Sequence, residues 1–515
     1  MQMQSLRLNS STHNPPVKTF SALFSVFAIQ TDQNSQDRYQ REFGLLHRFG
    51  LQSNVICVAS FSNVEEKTTL SRAVLYPALR KVIRKYPELG MVYFLRESTQ
   101  KSSQHRSFLG VLPQINLDRH VEFIEIPTEE EQDGLTATIE RYHGLWFDKS
   151  AEPPWKLVIV NNKHALLVFD HFITDGKGST FIFESLLQAL NTSDEQNSDS
   201  PIVELSTKIK GYPEKDPVKC SGQGPSVFFA IMTYITFWFL QLLYRGTDLF
   251  FSDATYQERD LTFDNPMKED NLVVTKIHTL RLEAETVQRC LKACREHQTS
   301  FTSFLHTLIK VTLAADFYPK AKFSHSETVV DVRPYLLPQE RERIMSTAAS
   351  MISSFDRLSD FRRAGQGSNP ESGMAGGADL LWGLARKHKA YITKDLHYGK
   401  SWMKAWQGVD LIGKDEEDYI SQFVPGLKLV QKYAFNVSNL GAFENRVDGG
   451  PWTISNLEFS AGAIKAGYGV NLSFNVSGLK GGATVIHVSS DGESLSSEFV
   501  ASLIPRMESR MLAVI

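Results

Sequence analysis

The stretch "PPWKLVIVNNKHALLVFDHFITDGKGSTFIFESLLQAL", residues 153–190, limits the architecture more than any other. Two almost wholly apolar runs flank "NNK" and read as a hairpin of two buried strands. "GSTFIFESLLQAL" then has the apolar spacing of a buried helix. Between strand and helix the chain places His171, then Asp175 four residues on, then Gly176. One reading is plain corner chemistry, with His171 capping the strand, Asp175 capping the helix and "GKGS" starting it. The other is the general base of an acyl transfer, with Gly176 supplying a positive φ at the turn.

Acyl transfer to an alcohol or amine has two difficulties: the nucleophile must lose a proton as it attacks, and the tetrahedral oxyanion must be stabilised. A neutral histidine meets the first near neutral pH. Its loop must hold it in one orientation, which Asp175 can do by pairing with a cation and without touching His171.

The surrounding chain alternates helix-like and strand-like patterns. "SNVICVASF" and "VEFIEI" read as strands, and "LSRAVLYPALRKVIRKYPEL" as a helix that breaks near Pro87. Residues 192–225 are rich in Ser, Asp, Lys, Gly and Pro and read as an exposed linker. A second alternating unit starts near 272 with "NLVVTKIHTLRL" and ends in the helix "SSEFVASLIPRMESRM". Single cores stop growing near roughly 250–300 residues, so 515 residues suit two core-forming units. The expected division is 1–191, a linker 192–271 and 272–515, in an α/β (α+β) fold.

Within the linker, "VFFAIMTYITFWFLQLLY" (227–244) runs eighteen residues without a charge. Its length suits a membrane span, but a span would put the two halves on opposite sides of a bilayer. Thr233, Thr236, Gln241 and Tyr244 fall roughly on one side of a helical wheel, which favours a helix in interfacial or re-entrant membrane contact, or one packed on the protein, over a span.

A net charge of -3 and a pI near 6.6, with no basic stripe, argue against a nucleic-acid partner. Four cysteines make no disulfide framework and fit a reducing compartment. Cys290 and Cys294 share a helix face near His297; without a second ligand pair they read as packing thiols rather than metal ligands. Asn436, Asn471 and Asn475 head N-x-S patterns inside core-like strands, where a glycan would not fit. The first thirty residues lack a cleavage site for a signal peptide; a transit peptide or a small amphipathic anchor is left open.

"DHFITDG" resembles the HxxxDG motif of the CoA-dependent acyltransferase superfamily, which includes condensation domains and the plant BAHD enzymes. Over most of its length the chain is similar to the fungal alcohol acetyltransferases, through "FGLLHRFGLQSNVICVASF", "LYPALRKVIRKYPELGMV", the motif segment, "VDVRPYLLP" and "AFNVSNLGAF". Asp170 stands where the doubled HHxxxDG form has its first histidine, and the BAHD motif DFGWG has no counterpart.

The resemblance implies two chloramphenicol-acetyltransferase-like subdomains forming a pseudo-dimer with a tunnel between them. It implies His171 as general base, Asp175 and Gly176 as structural motif residues, and Arg333 as the cation for Asp175. Ser438 and Asn439 become candidates for lining the site and binding the oxyanion. The expected reaction moves acetyl from acetyl-CoA to an alcohol, with no metal. Alternatives are a secondary-metabolite hydroxyl such as a terpenoid's, a lipid-like amine, or a non-catalytic membrane-bound scaffold. A cytoplasmic monomer is expected, with peripheral contact to endoplasmic reticulum or lipid droplet through 227–244 left open.

Overall fold

The computed structural model describes residues 27–28, 38–65, 68–96, 106–192, 200–205, 272–336, 345, 347–366, 376–399, 433–445, 449–465 and 469–515, with isolated positions in 228–251 and at 401 and 403. The N-terminal run, Cys220 and most of the linker lie outside the described residues.

Five strands form the first sheet: β1 (Val55–Asn63), β2 (Val121–Ile124), β3 (Trp155–Val160), β4 (His164–Phe169) and, far along the chain, β9 (Trp452–Ala461). Their order is β9-β1-β4-β3-β2. The "NNK" hairpin turns through Asn161 and Asn162, both at φ 50, a region asparagine tolerates better than most residues.

Both faces of this sheet are covered, which explains why β3 and β4 are apolar without alternation. Cys57, Leu157, Leu167 and Phe169 meet helices α2 (Arg72–Lys85) and α4 (Gly176–Asn191) on one side. Ile56, Val158, Leu166 and Val168 meet α3 (Glu131–His143) on the other.

The second sheet contains β5 (Thr275–Leu282), β6 (Phe323–Asp331), β7 (Ala349–Arg357), β8 (Tyr433–Phe443), β10 (Val470–Leu479) and β11 (Thr484–Asp491). It is ordered β5-β11-β10-β8-β6-β7, with β8 parallel to both neighbours. Here the strands do alternate. Phe435, Leu472, Phe474 and Val488 bury one face against α5 (Ala284–Glu296), α6 (Phe301–Thr312), α7 (Gly377–Lys394) and α8 (Ser497–Val514). Their neighbours Asn436, Ser473, Asn475 and His487 turn to the opposite face and are nevertheless buried.

β9 is what binds the halves together. It leaves the C-terminal half and pairs antiparallel with β1, from Trp452 opposite Asn63 to Ala461 opposite Val55. Glu458 on β9 accepts from His487 on β11 at 2.9 Å, both fully buried, so a buried polar contact also spans the two sheets.

Asn436 lies in β8 and Asn471 and Asn475 in β10, all buried, leaving no room for glycans. Cys290 and Cys294 pack into the second core, where burial pushes their thiols up to about 11 and about 12. His297 instead stacks on Trp382 at 4.4 Å. Phe228, Ile231, Met232, Ile235, Phe239 and Leu242 are the positions of 227–244 that are described; all are helical and exposed. Among the described residues no helix is long and apolar enough to cross a membrane.

Candidate active site

Strand β4 ends at Phe169, and the chain turns through residues 170–175 before α4 begins at Gly176. Asp175 is the N-cap of α4: its Oδ1 accepts from the Gly178 amide at 2.8 Å, satisfying one of the helix's unpaired first-turn donors. The helix half of the corner reading is therefore realised. The same carboxylate also accepts from Arg333 Nη2 at 2.9 Å, while its Oδ2 accepts from the Ala348 amide at 2.8 Å.

Burial opposes the Asp175 charge, but Arg333 and these amides hold its pKa below the usual carboxylate range. Arg333 opens the short 3₁₀ turn Arg333–Tyr335 after β6 and reaches Asp331 as well, at 3.0 Å. The motif loop of the first half is thus held by two elements of the second.

His171 lies in the same turn, partly accessible to a cavity of about 440 Å³ between the two sheets. Phe43, on α1 (Arg38–Arg48), covers one ring face: the centroids are 3.9 Å apart and the planes 5° from parallel. Burial lowers the imidazole pKa, opposed by Asp175 and by the backbone carbonyls of His171 and Thr174, so the ring is neutral near pH 7. A neutral imidazole in this position can take a proton from a hydroxyl.

Gly176 corrects the expectation of a positive φ: it is not among the residues in that region. Its constraint is proximity. A Cβ there would stand 2.7 Å from the Phe459 ring on β9 and 2.9 Å from Leu440 Cδ2 on β8. Glycine lets the start of α4 lie directly against the C-terminal half.

His171, Asp175, Gly176, Arg333, Ser438 and Asn439 all line the one cavity. The two candidates on β8 differ. Asn439 donates to Thr302 Oγ1 at 2.9 Å and accepts from the Gly441 amide at 2.8 Å, so most of its side-chain capacity is used within the fold. Ser438, opposite Val329 on β6 and Asn475 on β10, lines the cavity wall.

Asp170 has its own partner, which sequence reasoning missed. The buried Lys149 ammonium pairs with it and also donates to the Gly44 carbonyl on α1 at 3.0 Å. Burial opposes the Asp170 charge, and Lys149 holds its pKa below the usual range. The Asp170–Lys149 strut ties the motif turn to the helix that carries Phe43. A carboxylate ending an apolar strand signals a buried cation, but nothing local to "FDKS" marks Lys149 as that cation.

A family model described as alcohol acetyltransferase matches residues 43–504, nearly the whole chain. A probable alcohol acetyltransferase, FCK4, of Fusarium pseudograminearum (strain CS3096) is 21% identical over 434 residues, 78% of this chain and 79% of that protein. The fold is shared with the TRI3 trichothecene 15-O-acetyltransferase of Fusarium sporotrichioides: TM-score 0.66 and 11% identity, over 92% of this chain and 94% of that one. It is also shared with the first condensation domain of the calcium-dependent antibiotic synthetase: TM-score 0.58 and 11% identity, over 93% and 96%.

Proposed function

Because the chain belongs to the alcohol acetyltransferase family and is an O-acyltransferase, we propose that it moves an acetyl group from acetyl-CoA to a hydroxyl of a secondary metabolite, with His171 as general base. The hydroxyl oxygen attacks the thioester carbonyl while His171 takes its proton. The C–O bond forms and the carbonyl becomes an oxyanion, for which the Ser438 hydroxyl is the better-placed donor beside Asn439. The oxyanion then re-forms the carbonyl, the C–S bond breaks, and the departing thiolate takes the proton from the imidazolium. Ester and free CoA result, and His171 is neutral again.

The observation that carries this reading is His171 itself: a neutral imidazole in the cavity, covered on one face by Phe43, in a loop held by Asp175 and Arg333. The acceptor class is supported by the secondary-metabolite enzyme that shares the fold, a trichothecene 15-O-acetyltransferase. Labelled acetyl-CoA with a panel of short, sterol and terpenoid alcohols and sphingoid amines tests it. Transfer to alcohols that falls by at least about a hundredfold in His171→Ala is expected, the range for a lost general base; transfer at the wild-type kcat would overturn it.

A peripheral contact of 227–244 with a lipid surface is supported by the exposure of the apolar side chains of Phe228, Ile231, Met232, Ile235, Phe239 and Leu242.

A further inference from the structure

One acidic side chain in the cavity has no part in the mechanism above. Glu327 sits midway along β6, is 2% exposed, and lines the same cavity as His171. Its Oε1 accepts from Ser353 Oγ at 3.1 Å and the Tyr433 hydroxyl lies close to the carboxyl, while its Oε2 is buried and makes no well-formed hydrogen bond within the protein.

The sheet register shows how the chain placed it there. Glu327 lies opposite Ser353 on β7 and Asn436 on β8; Asn436 lies opposite Ser473 on β10. A polar row therefore crosses the sheet on its cavity face. Of its other members, Ser473 donates to Asn436 at 2.7 Å. Glu327 Oε2 is the vacancy in that row. The same cavity is also lined by the apolar groups Phe43, Val55, Phe459 and Ile464.

We propose that Glu327 is the specificity-determining residue for the acceptor, its Oε2 hydrogen-bonding a second oxygen function (hydroxyl, carbonyl or ether) of a polyoxygenated, otherwise apolar alcohol. This rests on the reading of the cavity as an alcohol acylation site. A buried polar atom left unpaired is costly, so a substrate that pairs it is favoured over one that does not. The protonation state suits the task. Burial, against the pull of the Ser353 and Tyr433 hydroxyls, pushes the carboxyl up to about 8. At neutral pH it is chiefly the acid, which donates to oxygen.

The test uses the full chain, acetyl-CoA, and rigid polycyclic hydroxy-ketones and diols at several oxygen spacings, each matched with its deoxy mono-alcohol. At one or more spacings the wild type is expected to prefer the oxygenated partner by roughly ten- to a hundredfold in kcat/KM. Glu327→Leu should abolish that preference, lowering kcat/KM for the oxygenated partner to that of its mono-alcohol. Glu327→Gln, whose amide also donates, should keep most of it. Should the leucine variant not fold, Glu327→Met gives the same comparison with an unbranched side chain. A wild type without preference at any spacing overturns the proposal, as does a preference that survives in the leucine or methionine variant, or an effect confined to acetyl-CoA. Failure of the acylation reading would look different: no wild-type transfer to any alcohol, or transfer that His171→Ala leaves intact.

Discussion

Arg333 Nη2 and Asp175 Oδ1 lie 2.9 Å apart, joining the turn after β6 to the turn after β4 across the boundary between the two sheets. Asp175 at the same time caps α4 and takes the Ala348 amide, so one carboxylate fixes a helix start, a loop and an inter-half contact. His171 shares that loop, and its position depends on all three.

Asp175→Ala should therefore lower stability and activity together. Removing one partner of a buried pair leaves the other charge uncompensated and costs about 3–5 kcal/mol. Urea unfolding of Asp175→Ala is expected to show a loss of that order, with kcat reduced in the folded fraction. His171→Ala should lose activity with a much smaller change in stability. An Asp175→Ala variant as stable as wild type would mean that the Arg333 pair contributes nothing to holding the loop.

The pH profile separates the two residues. His171 must be neutral to act, and burial lowers its pKa. Activity should hold through neutrality and fall only as pH drops through a value below 6.5. Asp175 has a depressed folded pKa, so its stabilisation is complete above the unfolded value of about 3.9 and is lost as pH falls through the folded one. On acidification, kcat/KM should drop before the fold does. An acid limb of kcat/KM at or above pH 6.5 would contradict the depressed imidazole.

Much of this site was legible in the sequence where the signal is local. The apolar runs around "NNK", the polar turn and the helix after it follow from periodicity, and the spacing of His171 and Asp175 needs no tertiary knowledge. Arg333 was reachable through the resemblance carried by "VDVRPY". Other features depend on register and pairing. "WTISNLEFSA" reads as a strand like its neighbours, and only long-range pairing sends it to β1 rather than to the second sheet. Glu327 looks like an ordinary strand residue until Ser353 and Asn436 are set beside it. Gly176 carries the same letter whether it serves a left-handed turn or a close approach, and only the neighbouring Phe459 and Leu440 decide.

That last distinction predicts a specific rescue. Gly176→Ala meets no φ penalty, so its cost is the clash with Phe459 and Leu440. Overpacking of this kind costs typically about 1–3 kcal/mol. Trimming a neighbour, as in Gly176→Ala with Leu440→Ala, should recover part of the loss in thermal stability relative to the sum of the single changes. A strictly additive double variant would mean that the two side chains do not compete for that space.

Asp170 yields the sharpest contrast with the doubled-histidine form of the motif. Restoring a histidine there looks like an improvement on sequence grounds alone, yet Asp170 is the partner of the buried Lys149. Asp170→His would leave an ammonium, 7% exposed, without its counter-charge. Because Lys149 also holds Gly44 on α1, next to Phe43, the ring that covers His171 should shift as well. The expected result is a loss of about 3–5 kcal/mol in urea unfolding, with a fall in kcat that the more familiar motif does not prevent. Pairing Asp170→Leu with Lys149→Met removes both charges, and replacing a buried pair by apolar groups is often neutral or stabilising. The double change should therefore be more stable than either single one. If Asp170→His is as stable and as active as wild type, the strut between the motif turn and α1 does not position His171.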